Sequence, residues 1–166
     1  ATLVAKSWVP AIHHITSESI VPGRVSKICI RDGVRECQFW NVRSEHLAPL
    51  DKANIAAAFR WTDGMLINSR LDRLCFVGGD FNCLSKGDFV LSPGGGPDLT
   101  RTPRVLGGDQ GFWQRKLGHF VEIINDAFSH FNKGNNEFSR LDKWFTNAPP
   151  WALTSLACEL LVCGAP

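Results

Sequence analysis

Asp32-Gly33 stands between two runs of strand character, RVSKICIRD and RECQFWNV, and this pairing narrows the fold more than any other feature of the chain. Asp-Gly accepts the positive φ values that a tight hairpin turn requires, and the flanking runs are apolar or alternating. An antiparallel strand pair is therefore expected across the turn. Upstream, ATLVAKSWV reads as a strand and AIHHITSESIVPG as an exposed connection. Downstream, PLDKANIAAAFRWTDG reads as a helix, with Asp51 as its N-cap, Ile55 and Phe59 one turn apart on a face, and Gly64 as its stop. RLCFVG reads as a buried strand. From Gly78 to Gly111 the chain is rich in Gly, Pro, Asp and Ser around SPGGGPD, which reads as a functional or surface loop. FWQRKLGHFVEII reads as a helix weakened at Gly118, FSRLDKWFTN as a strand, APPWALTSL as a turn with a short helix, and ACELLVC as a last strand. Strands outnumber helices, so the expected class is α+β or a layered α/β/β/α arrangement.

A chain of 166 residues suits one domain with a real core, and its 44% apolar and 20% charged residues are ordinary for a globular protein. A net charge of +2 is too small to announce nucleic-acid binding, which shows as a basic patch and a higher pI. It neither supports nor excludes a phosphate-rich substrate. No apolar run is long enough to span a bilayer, so no membrane partner is expected. Cys29, Cys37, Cys75, Cys83, Cys158 and Cys163 form no CxxC pair, which argues against structural zinc. Several sit in apolar runs such as SKICI and RLCFV, where cysteine acts as a small hydrophobe, and this usage implies a reducing, intracellular setting.

The stretch CFVGGDFNC carries the chemistry. Residues two apart on a strand share a face, so Asp80 and Asn82 project together from the strand's carboxyl end. Gly78 and Gly79 are expected to let the backbone turn and approach a ligand closely. A carboxylate can hold Mg²⁺ or act as a base, and a carboxamide can orient water or a phosphoryl oxygen. The alternative is an Asx-turn, a local hydrogen bond favoured at strand ends. SRLDKWF places a second carboxylate in a strand, with Arg140, Asp142 and Trp144 on one face and Leu141, Lys143 and Phe145 on the other. Its alternative is a salt bridge from Asp142 to Arg140 or Lys143. Asn41 shares a face with Arg43 and is a candidate phosphate ligand, with a cross-strand hydrogen bond as the rival. Trp113 and Trp144 fit a core, and an exposed one would stack on a base. Adjacent His13 and His14 point apart on an extended segment, which disfavours a shared metal. SPGGGPDLTRTPR lacks the phosphate-cradling GxxxxGK[ST] pattern, and it reads as a surface loop carrying Arg101 and Arg104 toward a nucleic-acid backbone.

GDFN followed by SRLDKWF, with PGRVSKICI, ECQFWNVRSEHL and FNKGNNEFSRLDKWF in order, resembles the endonuclease/exonuclease/phosphatase family of DNase I-like fold. Within it the likeness is to the apurinic-type endonuclease domains of non-LTR retrotransposons. The resemblance implies a four-layer α/β/β/α sandwich and Mg²⁺-dependent hydrolysis of DNA phosphodiesters. It makes Asp80 the residue that activates or positions water and touches the metal, Asn82 a ligand of the scissile phosphate, and Asp142 the carboxylate that orients a catalytic histidine. Asn41, Arg43 and Arg140 become substrate-binding candidates, with Arg43 standing about where many relatives have tyrosine. The family's metal-binding glutamate lies before the strand that ATLVAKSW resembles, and its Ser-Asp-His triplet lies on a last strand. None of His13, His14, His46, His119 and His130 follows a Ser-Asp pair. Residues 1–166 are therefore expected to be one partial domain, incomplete at both ends, with weak or absent Mg²⁺ binding and little activity alone. The implied partners are the DNA phosphate backbone and a reverse transcriptase domain of the same polyprotein, in the nucleus. Alternatives are a phosphatase of small phosphoesters or inositol phosphates, and a non-catalytic nucleic-acid or protein-binding module.

Overall fold

The computed structural model describes residues 14–33, 35–59, 73–82, 90–91, 97–98, 107–123, 129–133, 137–139 and 141–153. The Asp32-Gly33 turn joins a hairpin as expected. Strands β2 (Val25–Asp32) and β3 (Arg35–Arg43) pair antiparallel from Val25↔Val42 to Asp32↔Arg35, and Gly33 has φ 57°. Before them runs β1 (His14–Val21), antiparallel to β2 through a turn with Gly23 at φ 70°. This corrects the reading of AIHHITSESIVPG as a connection. β1 is the outer strand of its sheet and exposes nearly every residue, so it carries no apolar alternation to betray it.

Helix α1 (Pro49–Ala58) is capped by the backbone of Ala48. Asp51 is therefore not the N-cap. It sits at the third helical position, where its Oδ2 accepts the Ala48 N–H at 3.0 Å. The helix ends at Phe59, and Gly64 lies outside the described residues. Strand β4 (Arg73–Asp80) then pairs parallel to β3, from Glu36↔Arg73 to Arg43↔Asp80. A parallel pair needs a crossover connection, and α1 lies within it.

The Gly78–Gly111 stretch contains the short strands β5 (Val90–Leu91) and β6 (Pro97–Asp98) and the start of helix α2 (Gly107–Lys116). FWQRKLGHFVEII is thus not one helix. The helix stops at Lys116, ahead of Gly118, and Val121–Ile123 forms β7. FSRLDKWFTN likewise divides. After β8 (His130–Asn132), β9 (Glu137–Ser139) joins one sheet and β10 (Asp142–Thr146) the other, and α3 (Pro150–Leu153) follows as expected. ATLVAKSWV and ACELLVC lie outside the described residues.

One sheet runs β1-β2-β3-β4-β10-β7 and the second β6-β5-β9-β8. The class is α+β, a mixed sheet with helices. Alternate residues of the central strands, Trp40 and Val42 of β3 with Cys75 and Val77 of β4, are buried in one core with Ile55 of α1 and Phe112 and Trp113 of α2. Phe59 closes that face, 4.2 Å from Trp40 between ring centroids. Gln38 is buried on the same face and is satisfied there, donating to Glu36 Oε1 at 2.8 Å and accepting from Trp40 Nε1 at 3.0 Å. Cys29, Cys37 and Cys75 are free thiols, and burial pushes Cys37 up to about 12 and Cys75 further still, so both stay protonated packing groups. Among the described residues no helix is long and apolar enough to cross a membrane.

Candidate functional site

Asp80 ends β4, the strand flanked by β3 and β10 at the middle of the larger sheet. The GDFN turn is held from both sides: Ser44 N–H donates to the Asp80 carbonyl at 2.7 Å, and Phe81 N–H to the Leu141 carbonyl at 3.0 Å. Asp80 Oδ1 accepts the Asn82 N–H at 2.8 Å, so the Asx-turn is present. It puts Asn82, exposed, in the left-handed region at φ 48°. The two glycines do not serve ligand approach as expected. A Cβ on Gly78 would lie 2.4 Å from the Trp144 ring, and one on Gly79, at φ 132°, would lie 2.1 Å from the Val42 carbonyl oxygen. They admit the indole and the neighbouring strand.

The sheet register then assembles the polar groups. Asp80 stands directly opposite Arg43 on β3 and Asp142 on β10, and opposed residues share a face. Asn41, Gly78 and Trp144 form the next row on that face. Asp142, Asn41 and Arg43 are exposed and Asp80 is half-buried. Arg43 Nη2 donates to Glu45 Oε2 at 3.1 Å, and the N–H groups of Leu141 and Asp142 converge on Ser129 Oγ at 3.0 and 2.9 Å. Lys143 takes the opposite face as the alternation predicts, but fully buried, and Phe145 packs there on Phe81 at 5.2 Å between centroids. Arg140, Arg101, Arg104 and His13 lie outside the described residues.

Sequence reasoning did not single out Arg24. Its carbonyl accepts the Arg43 N–H at 2.7 Å, and it lies two residues before Ser26, the partner of Asn41. Arg24, in the turn just before β2, therefore continues past β3 the row that Arg43, Asp80 and Asp142 form on three strands. Its Nη1 is buried and has no hydrogen-bond partner among the described residues. The signal lay in PGRV, whose arginine ends the turn before β2 beside Arg43. Asp109 was also passed over. It joins α2 to the segment after β3, accepting from Leu47 N–H at 3.0 Å and pairing with Lys52 Nζ at 2.7 Å. Burial alone would raise its carboxyl. The hydrogen bonds from Lys52 and Leu47 and the charges of Lys52 and His46 outweigh that and hold it below the ordinary carboxylate value. Trp113 is core, its Nε1 donating to buried Ser44 Oγ at 2.9 Å, whereas Trp144 is 38% exposed.

Two carboxylates opposed on adjacent strands are donors of the kind a hard divalent cation takes. Among the described residues no group of three His, Cys, Asp or Glu side chains is placed to hold an ion, so such a site would be a sparse one. No histidine stands in the row itself. His46 follows Arg43 by three positions, exposed and at φ 51°.

No family model matches the chain, and no curated protein matches it. Solved structures similar to it include the endonuclease domain of TRAS1, a telomere-specific non-LTR retrotransposon, at 14% identity and TM-score 0.47 over 86% of this chain and 59% of that one. A mannosyl-6-phosphatase of Bacteroides thetaiotaomicron VPI-5482 is similar at 14% identity and TM-score 0.42, over 84% of this chain and 53% of that one. An endonuclease/exonuclease/phosphatase family protein of Leptotrichia buccalis is similar at 14% identity and TM-score 0.41, over 82% and 50%. The chain spans between 50% and 59% of the length of these three structures. All three TM-scores lie below 0.5.

Proposed function

We propose that the chain carries a metal-assisted phosphodiester hydrolase site and that its substrate is DNA. The observation that supports this reading is the opposed pair Asp80 and Asp142 beside Arg43. Like charges directly opposite one another destabilise a sheet by about 0.2–1 kcal/mol. A site that keeps them together at an exposed strand end is suited to a cation. Mg²⁺, held by Asp80 with Asp142 beside it, would neutralise phosphoryl oxygens and acidify water. Asp80 takes the proton of a water as its oxygen adds to phosphorus, and the opposite P–O bond breaks with its electron pair leaving on the DNA oxygen. Arg43 and Arg140 attract the phosphoryl oxygens, Asn82 hydrogen-bonds one of them, and Asn41 borders the track. Asp142 is placed where a carboxylate would orient an imidazole acid-base partner, which no residue of the row supplies. With no histidine in the row, turnover is expected about 10²- to 10⁴-fold below that of a site with such a partner in place.

The order of motifs from PGRVSKICI to SRLDKWF supports a retroelement endonuclease acting on nuclear DNA beside a reverse transcriptase. The test compares Mg²⁺-dependent nicking of supercoiled plasmid with phosphate release from inositol phosphates, for the wild-type chain and Asp80→Asn. Nicking that Asp80→Asn reduces is the expected result. Phosphate release without nicking would reassign the site to a phosphatase. Neither activity above the Asp80→Asn background would leave a binding module.

A further inference from the structure

Arg24, the last residue of the turn before β2, lies against Arg43 at the end of β3, joined by the Arg43 N–H to Arg24 carbonyl bond of 2.7 Å. The backbone contact brings two cationic residues to one edge of the sheet, where an anion between them would ease their repulsion. Arg43 is partly answered by Glu45, at 3.1 Å, although both of those side chains are well exposed and weakly coupled. Arg24 is not answered in this way. Its Nη1 is shielded from solvent and meets no acceptor among the described residues. Leaving a donor of a charged group buried and unmet is costly, and such a group calls for a specific explanation. The position supplies one. The row continues into Asp80 and Asp142, so the cationic half of this edge lies directly beside its anionic half.

We propose that Arg24 and Arg43 form an oxyanion-binding pair that takes a backbone phosphate flanking the one positioned at Asp80 and Asp142. Strands lie about 4.8 Å apart, so at the backbone the arginine pair is centred about two strand spacings, or roughly 10 Å, from the carboxylate pair. That separation places two phosphates of one strand rather than two ends of a single phosphate. Guanidinium forks suit such a ligand because they present paired N–H donors to phosphate oxygens. The inference deepens the hydrolase reading, but inorganic phosphate tests the pair without any turnover.

The experiment measures the thermal midpoint in inorganic phosphate and in chloride of equal ionic strength, for wild type, Arg24→Gln, Arg24→Lys and Arg43→Gln. A ligand that binds only the folded state raises the midpoint. The phosphate increment should be present in wild type, absent in Arg24→Gln and Arg43→Gln, and partly restored in Arg24→Lys. A merely structural Arg24 would lower every midpoint and leave the increment intact. In a second arm, a short duplex is bound in EDTA across a salt series. Each Gln variant should reduce the slope of log K against log salt by about 0.7–0.9. Should Arg24→Gln fail to fold, Arg24→Lys and Arg43→Gln carry both readouts. No phosphate increment in wild type, or an increment that survives the arginine changes, overturns the inference. Plasmid nicking with no phosphate increment would sink it and leave the hydrolase reading standing. An arginine-dependent increment without nicking would do the reverse.

Discussion

At Gly79 a side chain has nowhere to go. Its φ of 132° is one that L-residues rarely adopt, and the Val42 backbone occupies the space a Cβ would take. Gly79→Ala is expected to cost about 3 kcal/mol, read as a shift in the urea midpoint. Gly78→Ala meets a ring that can swing aside, since Trp144 is 38% exposed, so about 1–3 kcal/mol is expected. If the Gly78 change proves the more damaging, Trp144 is fixed more firmly than its exposure implies. Asn82 separates structure from chemistry. Glycine tolerates φ 48°, and the bond to Asp80 Oδ1 comes from the backbone N–H, so Asn82→Gly should leave stability within about 0.5 kcal/mol. If the carboxamide binds phosphate, as proposed, nicking should nonetheless fall by about tenfold or more. Unchanged nicking would reduce Asn82 to a turn residue.

The elements are tied together by polar contacts that surround the apolar core. Asp109 fastens α2 to Lys52 of α1 and to Leu47, and its folded carboxyl titrates below the ordinary value of roughly 3.9. The unfolded chain therefore binds this proton first. The contribution of Asp109 to stability is complete above the unfolded value and is lost as pH falls through the folded one. Unfolding midpoints measured between pH 7 and pH 2 should show an acid limb that is shallower in Asp109→Asn, with lower stability at neutral pH. Limbs of equal slope would mean the pair is solvent-screened. The β2–β3 hairpin was legible because a two-residue turn and two patterned strands are local information. β1 was not, since an outer strand with most of its residues in water needs no alternation. Nor was the start of α2, whose GGDQG opening argues against helix. Packing of Phe112 and Trp113 and the Asp109 contacts overrule that propensity.

Across the whole molecule, the decisive event is the insertion of β10 between β4 and β7. It carries Asp142 to Asp80 from far along the chain, with Trp144 laid over Gly78 as the packing contact that fixes the register. The carboxylates and Asn82 were legible as candidates from their residue types and spacing. Their place beside Arg43, and the presence of Arg24 in the row, were not, because sheet order is a non-local property. This row is proposed to be one hydrolytic site. The most direct measurement is the Mg²⁺-dependent, single-turnover plasmid nicking rate of wild type, Asp80→Asn, Asp142→Asn and the double variant. If the row is one site, the rate falls about 10²-fold or more in Asp80→Asn and clearly in Asp142→Asn, with the double variant little worse than the first, since groups acting as a unit are not additive. Magnesium-dependent nicking undiminished in both single variants would contradict it.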